Sequence, residues 1–119
     1  MSSIRNPLFH NTLFALRRAF KKNRAEIWRA TAAHLSKSRS RRVTVNVGKI
    51  SRLTTDGELV VVPGNVLGAG LIEHNLTVGA FGFSQSAKEK IRKAGGQALS
   101  LVDFVNDHPT GKGVKLIGG

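Results

Sequence analysis

Residues 58–64 read ELVVVPG, and Leu59 to Val62 form a run with no polar side. Side chains alternate across a strand, so a strand that is wet on one face alternates polar and apolar residues. A run apolar on both faces fits a covered central strand, and Pro63-Gly64 is expected to stop it. The rest of the chain must supply the cover. Its 119 residues are most simply one domain, and a hydrophobic fraction of 40% permits a real core.

Helical cover is legible on either side of this run. Phe9, Leu13, Leu16 and Phe20 recur at helical spacing from Pro7 to Lys22, and Pro7 suits a first turn. A second helix carries Ile27, Trp28, Ala32 and Leu35, with Asn23 and Glu26 spaced as a capping box. Trp28 reads as a packing residue in preference to a base-stacking one. Val43, Val45 and Val47 alternate with polar residues as a strand, followed by a short helical turn that closes at Asp56-Gly57. NVLGAG reads as a glycine-rich connection and NLTVGAFGF as another strand. SQSAKEKIRKAGG predicts a helix capped by Ser86 and Glu89 and ended by Gly95-Gly96. QALSL, a short helix opened by Ser100 and Asp103, and GVKLIG complete the order. The alternation predicts an α+β protein of two layers, with a basic helical arm over 1–42 and a strand-and-helix core over 43–119.

Charge is divided more sharply than apolar residues are. The net charge is +12. Residues 1–52 hold 13 cations against the single acid Glu26, whereas residues 53–119 hold six of each sign. The cations are Arg5, Arg17, Arg18, Lys21, Lys22, Arg24, Arg29, Lys37, Arg39, Arg41, Arg42, Lys49 and Arg52. In SKSRSRRVTVN, Lys37, Arg39, Arg41 and Arg42 crowd together with no acid among them. Like charges at such spacing repel by about 1 kcal/mol even in water, so the arrangement calls for a polyanion. Arginine's planar fork grips phosphate oxygens in pairs, which favours nucleic acid over a membrane surface.

Other chemistries find little support. With no cysteine, neither a disulfide scaffold nor a thiolate metal site is expected. His10, His34, His74 and His108 are scattered, and the acids form no evident pair. The Gly68-x-Gly70 pair lacks the third glycine of a dinucleotide loop, and TGKG lacks the rest of a phosphate loop. Gly64, Gly68 and Gly70 read better as tight turns or points of close backbone approach to RNA. Neither a secretory signal nor a membrane span is expected, so the chain reads as intracellular. No enzyme, cofactor, metal or small-molecule substrate is expected. A basic DNA-binding protein of chromatin type is the alternative, though no helix-turn-helix pattern is evident.

Three segments carry a family likeness. SKSRSRRVTVNVGKISR, VVVPGNVLGAG and FSQSAKEKIRKAGG together resemble the large-subunit ribosomal protein family L-eighteen-e, relatives of bacterial L-fifteen. Leu35, Ser38, Arg39, Arg42, Val45, Asn46, Val47, Lys49 and Ile50 follow its signature. Val43 and Asn65 depart from it, standing where members usually carry a small residue and a lysine. The resemblance implies a non-enzymatic ribosomal constituent with a core of irregular β-β-α superhelical turns. It also implies cytoplasmic work in translation, with large-subunit ribosomal RNA and neighbouring ribosomal proteins as partners. Lys37, Arg39, Arg41, Arg42 and Lys49 would lie along RNA, and the Gly64–Gly70 loop would approach RNA or protein.

Overall fold

The doubly apolar run is the middle of the sheet. A computed structural model describes residues 7–37 and 42–118. Its elements are α1 (Pro7–Asn23), α2 (Glu26–Leu35), β1 (Val43–Asn46), α3 (Val47–Arg52), β2 (Glu58–Leu67), β3 (Leu76–Phe83), α4 (Gln85–Lys93), β4 (Gln97–Ser100), α5 (Leu101–Asp107) and β5 (Val114–Leu116). Every strand pair is parallel. β3 lies along one edge of β2, with Val60 opposite Val78 and Val62 opposite Ala80, and β4 lies outside β3. The other edge of β2 is shared: β5 takes Leu59–Val61 and β1 takes Gly64–Leu67. Pro63-Gly64 does not stop the strand as expected; the register with β3 shifts between Val62 and Asn65, and β2 continues.

Alternation sends Val60 and Val62 to one face and Val61 to the other. Val60, Val62, Val78 and Ala80 pack with Val45, Val47, Ile50, and with Ala87 and Ile91 of α4. Across the sheet, Val61 joins Leu13, Leu16, Trp28 and Leu35 of α1 and α2, and Leu101, Phe104 and Val105 of α5. The class is α+β as expected, but the layers number three, because the basic N-terminal helices cover the second face. Trp28 is 0% exposed. Its indole N–H donates to the Pro109 carbonyl at 2.8 Å, and its ring meets Phe104 edge-on at 6.2 Å.

Helix ends correct two capping expectations. The first residue before α2 is Ala25, which gives no side-chain cap. Arg24 takes a positive φ of 57°, Asn23 Nδ2 donates back to the Ala19 carbonyl, and Glu26 engages Arg29. α4 is capped by Ser84 in place of Ser86: its hydroxyl accepts from the Ala87 N–H at 3.1 Å. Ser86 lies within the first turn, two positions after the cap, against Gly68. The α5 cap forms as expected, with the Ser100 hydroxyl accepting from the Asp103 N–H at 3.1 Å.

Glu58 opens β2 and ties it to the preceding turn and to β5. The Thr55 N–H donates to its Oε1 at 2.7 Å, and Lys115 Nζ of β5 stands 3.6 Å away. The Thr55 N–H, with help from Lys115, holds this carboxyl below its ordinary value of 4.5. A depressed folded value contributes stability that is present above the unfolded value and lost as pH falls through the folded one. In urea unfolding across pH, the wild-type advantage over E58Q is therefore expected to hold above about 4.5 and to shrink with further acidification.

Candidate nucleic-acid interface

Which cations face outward follows from helix geometry. Leu13, Leu16 and Ala19 of α1 are buried on the sheet side. Residues three and four apart share a helix face, so the intervening Arg17, Arg18, Lys21 and Lys22 stand exposed. Lys21 and Lys22 occupy the last turn, where cations meet the negative end of the helix dipole. Arg24 is exposed just beyond. Arg29 of α2 pairs with Glu26 at 3.0 Å and lies over the Phe20 ring at 5.9 Å. It lines a shallow groove between α1 and α2 together with Arg17, so the two helices present their cations side by side. Lys37 is exposed after α2.

Lys49 and Arg52 lie elsewhere. α3 carries them beside β1 on the opposite face of the sheet, in a groove shared with Thr44, Asn46 and Gly70. The structure thus brings Gly70 beside two of the candidate cations and separates both from α1. Arg5, Arg39 and Arg41 lie outside the described residues.

Arg42 turns onto the protein. Its guanidinium sits 4.9 Å from the centre of the Phe9 ring and 5.4 Å from that of Phe81. This links the start of β1 to α1 and β3. R42A is expected to lower the unfolding free energy by about 1 kcal/mol, the scale of a partly desolvated cation–π contact. K21A, at an exposed helical site, is expected to change it by less than about 0.5 kcal/mol. Urea midpoints for the two variants check this.

Gly64, Gly68 and Gly70 sit hard against this chain's own atoms, backbone at Gly64 and Gly70 and a side chain at Gly68. A Cβ on Gly64 would lie 1.9 Å from the Val43 carbonyl oxygen, and one on Gly68 1.7 Å from the Ser86 hydroxyl. Gly70, at φ 94°, stands against Gly48, where its Cβ would come within 2.6 Å of Cα. The turn is pinned further: the Gly48 N–H donates to Ala69 O at 3.0 Å, and Asn46 Oδ1 accepts from the Ala69 N–H at 3.1 Å. Lys90 Nζ donates to both the Gly68 and Gly70 carbonyls at 2.6 Å. Nothing in the sequence marks Lys90 for this role, since its partners lie about 20 positions away in a turn of no fixed motif.

Among the described residues no three acidic, histidine or cysteine side chains converge as metal ligands, and no helix is long and apolar enough to cross a membrane. Fold and surface together define a small, basic α+β protein whose N-terminal helices carry cations outward and core residues inward. The family described as ribosomal protein 60S L18 and 50S L18e matches residues 6–119. Large ribosomal subunit protein eL18 of Methanoregula boonei is 37% identical over 112 residues, covering 94% of this chain and 93% of that protein. The protein of the same name from Methanococcus maripaludis is 38% identical over the same shares. That from Pyrobaculum aerophilum is 40% identical over 102 residues, 86% of this chain and 84% of its own. The chain belongs to the L18/L18e family of ribosomal proteins, and it is a structural component and not an enzyme.

Proposed function

We propose that this protein binds large-subunit ribosomal RNA in the cytoplasm and acts there as an electrostatic scaffold. The observation that carries the reading is α1: one side is locked into the core and the other presents Arg17, Arg18, Lys21 and Lys22 with no acid on that helix. Such a helix holds its cations at fixed positions, so they neutralise crowded phosphates without first being ordered. Arg24, Arg29 and Lys37 extend that surface, and Lys49 and Arg52 form a second contact beside the pinned Gly68–Gly70 turn. Arg39 and Arg41 join this reading by charge and by family likeness, and Arg5 by charge alone. The electroneutral residues 53–119 supply the mount and face neighbouring ribosomal proteins.

Sedimentation tests the reading. The protein is expected to travel with large ribosomal subunits at low salt and to leave them only at high salt. It is also expected to bind structured ribosomal RNA more tightly than duplex DNA at one salt concentration. Free protein at low salt, or equal affinity for the two nucleic acids, overturns the proposal.

A further inference from the structure

Phe14 breaks the pattern of its helix. Its neighbours Leu13 and Leu16 are buried, whereas Phe14 is 65% exposed. It stands at the lip of a groove of ≈ 480 Å³ between α1 and the end of α5, lined also by Arg18, Lys22, Val105, Asn106 and Pro109. That volume falls within the usual range of small-ligand sites. None of these lining residues is acidic and two are cations, so the occupant that complements the groove is an anion. Phe14 asks further that it present a flat apolar surface.

A second copy packed symmetrically on this groove would bring Arg18 and Lys22 against their own kind, which like-charge repulsion opposes. An acidic peptide would satisfy the cations but covers Phe14 only where it also carries an aromatic side chain. An unpaired nucleotide satisfies both. Its phosphates accept from Arg18 and Lys22, its base stacks on Phe14, and the Asn106 amide offers two donors and one acceptor to a base edge. We infer that the α1–α5 groove seats an unpaired nucleotide of RNA, with Phe14 as the stacking surface and Arg18 and Lys22 as phosphate clamps. The inference rests on the RNA-binding reading above and adds a preference for single-stranded over duplex segments at this place.

The test uses the full chain with two labelled RNA probes, a single strand of about 12 nucleotides and a duplex of the same length. Binding of each is measured at one salt concentration. F14A is expected to weaken the single strand about tenfold and the duplex less than twofold, with the salt slope unchanged, since no charge is altered. F14W is expected to restore single-strand binding. Because Trp28 is fully buried, a fall in indole emission on adding the single strand to F14W reports stacking at position 14. Wild-type affinity in F14A, or equal losses on both probes, overturns the groove assignment while leaving the RNA reading intact. Salt-insensitive binding of both probes by the wild type overturns both. Tighter binding of an acidic peptide than of the single strand, lost in F14A, reassigns the groove to a protein partner and overturns the nucleotide.

Discussion

G64A is expected to destabilise the protein by about 3 kcal/mol or more, a large share of the 5–15 kcal/mol that holds a typical domain together. The added methyl would meet the Val43 carbonyl oxygen at 1.9 Å and its carbonyl carbon at 2.8 Å. Both are backbone atoms of β1, so no side-chain rotation relieves the overlap and the strand has to move. Val43 and Val45, both in the core cluster, move with it. G57A supplies the contrast. Gly57 has a φ of 83° and nothing within 4 Å of the added Cβ, so it is expected to lose only the ~1–2 kcal/mol of a left-handed backbone. Urea unfolding of the two variants separates crowding from backbone conformation. Near-equal losses would contradict the tight seating of β1 on β2.

Removing the outward charge of α1 is the second large effect, and it falls on binding instead of stability. Each phosphate neutralised contributes roughly 0.7–0.9 to the slope of log affinity against log salt. Replacing Arg17, Arg18, Lys21 and Lys22 with alanine is therefore expected to flatten that slope by about 3 for a large-subunit ribosomal RNA fragment. The helix itself survives, because alanine is the best helix former and the four side chains are exposed. Titrations at several potassium chloride concentrations check the slope, and circular dichroism checks the fold. A slope equal to that of the wild type would take α1 out of the interface.

Much of this architecture is legible in the residues. LVVV marked its own strand as covered, since no alternation left it a wet side, and β2 is indeed flanked by strands and helices on every side. The α1 stripe and the Ser100 cap were readable because both act within one or two helical turns. What was hidden depends on partners distant in sequence. Pro63-Gly64 looks like a terminator locally, yet β1 approaches so closely at Gly64 that only glycine fits, and the strand runs on. Ser86 has the spacing of a cap, but Ser84 reaches the helix start first. Arg42 belongs by sequence to the basic run, whereas its position over Phe9 and Phe81 needs the fold to bring three elements together. Phe14 is one phenylalanine among six; only the placement of α1 on the sheet leaves it outside.

The indole hydrogen bond from Trp28 reaches an acceptor 81 positions later in the chain. β5 likewise fills its part of the β2 edge only when residues 114–116 arrive. A nascent polypeptide emerges N-terminus first, so its whole surplus of cations is out before the apolar seat beneath α1 and α2 can close. Closure of such distant contacts is slow relative to local helix formation. During birth the molecule is at its most adhesive: sticky by charge on one side of two helices and by exposed leucine and tryptophan on the other.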